Sequence, residues 1–178
     1  ISRGSGIPLA LVNVAGGAAA DSLNALIILA RARPELIANR TIRLHVLDRH
    51  ARGPAFAAAA LEALLADGGA LHGLDAELEY ADYDWNEAEG LKRLVASERD
   101  SVLALSSEGG LFEYADDGAI AANLEAAKCA NDAFFVGSLS RSGGASISLN
   151  AATSATLGHR LHEAAAFADF ISRHGWRY

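Results

Sequence analysis

The feature that most constrains this chain is an alternation. Short apolar runs of strand length each close on a glycine or an acid, and each is followed by a segment of helical composition. Leu9 to Val14 closes on Ala15-Gly16-Gly17. Ile42 to Leu47 closes on Asp48, and Ala76 to Ala81 on Asp82-Tyr83-Asp84-Trp85. Ser101 to Leu105 is followed by Ser106-Ser107-Glu108-Gly109-Gly110, and Ala133 to Val136 by Gly137-Ser138. Runs this short and apolar read as strands buried on both faces. Between them, Asp21-Ser22 opens a helix to Ala32, stopped by Pro34. Pro54 suits the first turn of a helix to about Ala66, ended by Gly68-Gly69. Further helices are expected from Asn86 or Glu87 to about Ala96, from Asp116 to Ala130, and from Thr156 to His174 with Gly175 as its C-cap. Trp176 then reads as the start of a sixth strand.

Strands joined by helical crossovers predict a doubly wound, mostly parallel sheet in a three-layer α/β/α arrangement. The 178 residues suit a single domain spanning the chain. With 51% hydrophobic and 21% charged residues, the composition excludes a disordered chain. No apolar run approaches the roughly 20 residues of a membrane helix. A formal net charge of -7 argues against nucleic acid as a partner. Cys129 is the only cysteine, so the chain holds neither an internal disulfide nor a cysteine-based zinc site. It reads as a small core residue in a protein of a reducing, cytoplasmic compartment. The sequence has no methionine and ends soon after Trp176, which predicts a piece of a longer chain with material missing at both ends.

In sheets of this kind ligands bind beyond the carboxyl ends of the strands, so these positions carry the functional reading. Gly16 and Gly17, followed by three alanines, allow a ligand to approach the backbone closely; they serve equally as a tight strand-to-helix turn. Asp48 at the second strand end is placed to accept hydrogen bonds from both hydroxyls of a ribose, or simply terminates a strand. Arg49 after it is a candidate for a 2′-phosphate in a dehydrogenase. In Asp82-Tyr83-Asp84, an acid is a candidate for the exocyclic amine of adenine and the aromatic ring for its face, or Tyr83 and Trp85 simply pack onto the domain. Ser106, Ser107 and Glu108 sit where the reacting end of a ligand is expected, with Glu108 as candidate general base. His159 and His162 lie three apart with no carboxylate at a metal spacing, so no metal site is assigned. No serine stands in Gly-x-Ser-x-Gly, which leaves a hydrolase without its usual turn. The Ser138 to Ser148 stretch reads as a loop over the site or a contact to another subunit.

The pattern resembles the class I S-adenosylmethionine-dependent methyltransferases, from about Pro8 to Tyr178. The resemblance rests on the run from Val12 to Ser22, on Val46-Leu47-Asp48, on Tyr80-Ala81-Asp82-Tyr83-Asp84, and on Leu105-Ser106-Ser107-Glu108-Gly109. It also takes in Phe167-Ala168-Asp169-Phe170 with Gly175-Trp176 as the late helix and sixth strand. It implies S-adenosyl-L-methionine as cofactor. The first loop, with Asn13, Ala15, Gly16, Gly17 and Asp21, would hold its methionine part, Asp48 its ribose and Asp82 to Asp84 its adenine. Where the family has acid-x-Gly-x-Gly-x-Gly, this chain has Asn13, Ala15, Gly17 and Ala19.

The function this implies is methyl transfer to a small-molecule acceptor, in a protein that is a candidate homodimer. The fourth strand lacks the Asn-Pro-Pro-aromatic motif of adenine or glutamine methylation. Two other readings stay open. One is a catalytically silent domain for ligand binding or oligomerisation, suggested by the altered first motif. The other is a nicotinamide-dependent dehydrogenase, which the missing Gly-x-Gly-x-x-Gly fingerprint disfavours.

Overall fold

The computed structural model describes residues 6–108, 110–129, 133–139 and 163–177. Five strands form one parallel sheet: β1 (Leu9–Val14), β2 (Thr41–Asp48), β3 (Asp75–Asp82), β4 (Val102–Ser107) and β5 (Phe134–Gly137), in the order β3-β2-β1-β4-β5. The order reverses between β1 and β4. At that point the crossovers leave the sheet in opposite directions and open a crevice at its carboxyl edge. The expected doubly wound α/β class is the class observed.

The helices divide between the two faces. Helices α1 (Ala20–Ala32) and α2 (Arg52–Leu65) pack on the first face, where Leu23, Leu26 and Leu61 meet Leu9, Leu11, Ile42 and Leu44. On the second face lie α3 (Glu89–Ser97), a single turn α4 (Leu111–Tyr114), α5 (Asp117–Ala127) and α6 (Ala164–Arg173). Leu91, Val95, Phe112, Ile120 and Leu124 there cover Ala10, Val12, Val14, Leu103 and Leu105. β1 is buried along its whole length, as a central strand between two helical layers must be. β3 is an edge strand whose Asp75, Glu77 and Glu79 discourage further strand pairing.

Several expected boundaries shift. β4 runs on through Ser106 and Ser107, so these serines belong to the strand and not to the loop after it. Asp116 is the N-cap of α5, accepting from the Ala119 N–H at 2.8 Å, and the short α4 precedes it. Because α5 stops at Ala127, Cys129 falls in the following turn and is exposed, not a core residue. Trp176 lies outside any strand: its ring packs edge-on against Phe135 and its Nε1–H donates to the Leu124 carbonyl. Gly175, at φ +77°, follows the C-terminus of α6 as a left-handed glycine should. His159, His162, the 156–162 part of the last expected helix, Gly109 and the 140–148 part of the serine-rich stretch lie outside the described residues. Among the described residues no helix is long and apolar enough to cross a membrane.

Candidate functional site

The carboxyl edge of the sheet gathers most of the residues singled out in the sequence. The loop from β1 to α1 is its centre. Ala15, Gly17 and Ala19 all have left-handed backbone, at φ 53°, 49° and 50°. Only glycine takes this conformation without steric cost. Three alternate left-handed residues coil the loop tightly, with the Ala15 N–H on the Leu47 carbonyl and the Ala19 N–H on the Gly16 carbonyl, both at 2.8 Å. Gly16 is required by contact: a Cβ there would come within 2.2 Å of the Asn13 Cβ.

Asn13 is fully buried, and both the nitrogen and the oxygen of its amide are engaged. Its amide nitrogen donates to Ser106 Oγ at 2.8 Å and to Asp21, and its oxygen accepts from Ser22 Oγ at 2.8 Å. It therefore ties β1 to β4 and to the first turn of α1. Asp21 Oδ1 also accepts from the Ser22 N–H at 3.0 Å, while Asp21 Oδ2 is buried with no hydrogen-bond partner.

Asp48 joins the β1 loop to the end of β2. Its Oδ2 accepts from the Gly17 N–H at 2.9 Å and its Oδ1 from the His50 N–H at 2.8 Å. A carboxylate has about four lone-pair sites, so two remain for a ligand diol. Asp82 stands beside Asp48 in register at the end of β3 and is exposed. These two acids and the Gly17 turn line one edge.

The residues after Asp82 divide. Tyr83 is buried, and its hydroxyl donates to Asn123 Oδ1 of α5 at 2.5 Å. Burial pushes this phenol well above its ordinary range, with the neighbouring Asp84 adding to the effect. Its ring is core, packed under α3 and α5, and not an exposed cover for a ligand. Asp84 takes the Asn86 N–H and side chain, and pairs with Arg49. The Asn86 N–H, the Asn86 amide and the Arg49 guanidinium together hold its carboxyl below the usual carboxylate range. Arg49 thus has a partner within the chain, although its side chain remains exposed.

At β4, Ser107 is buried and its Oγ accepts from the Leu111 N–H at 3.0 Å, capping α4. Ser106 and the exposed Glu108 line an open cavity of 380 Å³ between α1 and β4–β5, to which Asp21 and Ser22 also contribute.

Two further glycines complete the edge: Gly53, which sequence reasoning passed over, and Gly110, which closes the run after the fourth strand. A Cβ on Gly53, in the first turn of α2, would come within 2.6 Å of the Gly17 carbonyl carbon. One on Gly110, before α4, would come within 2.6 Å of the Ala15 Cβ. The β1 loop is therefore held between the starts of two helices. A glycine beside Pro54 at a helix start, amid alanines, was the available signal. Asn123, which also donates to the Trp85 carbonyl at 2.7 Å, had none in the sequence. Among the described residues no group of three or more His, Cys, Asp or Glu side chains is arranged to hold a metal ion. No protein-family model matches this chain, and no curated protein matches it.

Proposed function

We propose that the domain binds S-adenosyl-L-methionine across the carboxyl edge of its sheet and transfers the methyl group to a small molecule. One observation carries this reading. The three positions aligned with the glycines of the methyltransferase motif, Ala15, Gly17 and Ala19, all have left-handed backbone although two are alanine. At two alanines the loop thus holds the left-handed backbone that favours glycine. The placement of Asp48, on the Gly17 N–H and beside Asp82, agrees with it.

The cofactor, when bound, supplies a methyl group on a sulfonium, poised for in-line attack. The chain's task is then to align and to exclude water. The β1 loop offers a close backbone approach, Asp48 the lone pairs for two ribose hydroxyls, and Asp82 an acceptor for the adenine amine. Glu108 would receive the proton that an acceptor gives up. An acidic protein takes a small acceptor more readily than nucleic acid. The single cysteine, exposed at the end of α5, suits a reducing cytoplasm.

A second reading has its own support. Asp48 already accepts from two backbone amides, and Asn13, where the family has an acid, is engaged through both the nitrogen and the oxygen of its amide. A silent ligand-binding domain would keep this geometry without transfer. Thermal melting separates the readings from a dehydrogenase. S-adenosylhomocysteine at a hundredfold excess over Kd should raise the Tm by about 5–10 °C, and NAD⁺ should not. A rise with NAD⁺, or with neither ligand, would overturn the cofactor assignment. Binding without methyl transfer to any small-molecule acceptor would favour the silent domain.

A further inference from the structure

Between β3 and α3 the chain runs from Asp82 through Asn86 along the adenine side of the proposed site. Residues 83–86 lie in neither a strand nor a helix, so their backbone groups need partners from elsewhere. The Tyr83 N–H donates to the Asp48 carbonyl at 3.2 Å, which ties the start of this loop to the strand of the ribose acid. Arg49 pairs with Asp84 across the mouth, but that pair is exposed, and exposed pairs contribute little. From the side of the core the loop meets Asn123 of α5, which has no exposed surface. The Asn123 Nδ2 donates to the Trp85 carbonyl at 2.7 Å and to the Ala119 carbonyl, one helical turn back, at 2.8 Å. Its Oδ1 accepts from the Tyr83 hydroxyl at 2.5 Å.

We propose that Asn123 is a positioning residue for the adenine side of this site: through the Trp85 carbonyl it fixes the loop after Asp82, and with it the acids that receive the exocyclic amine. This role rests on the S-adenosylmethionine reading of the edge. Packing alone does not account for an asparagine at this place. The other residues on its face of α5 are Ile120, Leu124 and Ala127, all buried and apolar. Asparagine is also a poorer helix former than any aliphatic straight-chain residue that could stand there. A buried amide is tolerated only when it is hydrogen-bonded, and this one spends its bonds on the loop. A leucine would fill the same core without reaching the Trp85 carbonyl. Hydrogen bonds shielded from water are firmer than the exposed Arg49 pair, so the position of the loop follows α5.

The test titrates the whole chain at pH 7 calorimetrically with S-adenosylhomocysteine and with S-inosylhomocysteine, in which a carbonyl replaces the adenine amine. An acceptor aimed at that amine should make the wild type prefer the adenosyl ligand by about tenfold or more. Asn123→Asp keeps an acceptor for Tyr83 but turns a carboxylate oxygen toward the Trp85 carbonyl. Its preference should shrink to about threefold or less. Asn123→Ser buries no charge and should give the same result if Asn123→Asp does not fold. Tyr83→Phe keeps the Trp85 bond and should keep the wild-type preference despite its lower stability. A general loosening of the core would weaken both ligands alike and leave their ratio as it was. An unchanged preference in a folded Asn123 variant would therefore overturn the proposal. So would equal binding of the two ligands by the wild type, or a Tyr83→Phe preference that falls as far as that of the Asn123 variants. Binding of neither ligand to the folded wild type would overturn the S-adenosylmethionine reading, and this role with it.

Discussion

At the scale of single residues, the β1 loop holds left-handed backbone at two alanines. Each such residue costs about 1–2 kcal/mol relative to its ordinary conformation. Ala15 is the better probe, because Ala19 is fully buried and packs with Val46 and Ala57. Ala15→Gly should therefore stabilise the fold by about 1 kcal/mol in urea titration. A loss of stability would mean that its methyl contact with Gly110 matters more than its backbone strain. Tyr83→Phe should cost about 1–2 kcal/mol, because it leaves the buried Asn123 oxygen without its donor. It should leave affinity for S-adenosylhomocysteine unchanged, since the ring is buried. Residue-scale reasoning on the sequence placed Asp48 at its strand end but left Tyr83 open between the face of a ligand and the core. The difference is physical: an aromatic after a strand serves a ligand or the core according to what packs over it. Here that is Asn123, 40 residues further on.

At the scale of elements, α3 is pinned to β2 by one carboxylate. Glu98 at the end of α3 receives the Arg43 guanidinium through both oxygens, at 2.9 and 2.7 Å, and the Ser101 hydroxyl at 2.6 Å. His45 Nε2 lies 3.1 Å from the same carboxylate, and its Nδ1 lies 3.3 Å from Glu79. Burial alone would raise the Glu98 carboxyl, but the Arg43 and Ser101 hydrogen bonds outweigh it and hold it at about 2 against a usual 4.5. A group depressed in the folded state stabilises above its unfolded value, and that stability is lost as pH falls from 4.5 toward about 2. Glu98→Gln should destabilise by about 2–3 kcal/mol at pH 7, and its unfolding free energy should fall less steeply than wild type below pH 4.5. Parallel slopes in the two proteins would contradict the assignment. Between elements, Gly53→Ala should cost about 1–3 kcal/mol, because its new methyl meets the Gly17 backbone and not a side chain that can turn away. Circular dichroism melting measures it. The strands were legible because five apolar runs between glycines and acids leave little alternative. The ion-paired corner was not, because Arg43, His45 and Glu98 come together only when α3 crosses behind β2.

At the scale of the molecule, the parallel order β3-β2-β1-β4-β5 brings the ends of strands far apart in sequence to one edge. Asp48 meets Gly17 across 31 residues and Asn13 meets Ser106 across 93. The doubly wound parallel class was readable from the alternation of strands and helices, whereas the strand order was not, because handed crossovers still allow several orders of five parallel strands. The central claim is that this edge holds an S-adenosylmethionine-like nucleotide through Asp48. Calorimetric titration with S-adenosylhomocysteine, repeated on Asp48→Ala, tests it most directly. The account predicts micromolar binding to the wild type and a loss of about tenfold or more in the variant, which forfeits a charged hydrogen-bonding group. No binding to the folded wild type, or equal binding to both proteins, would contradict it.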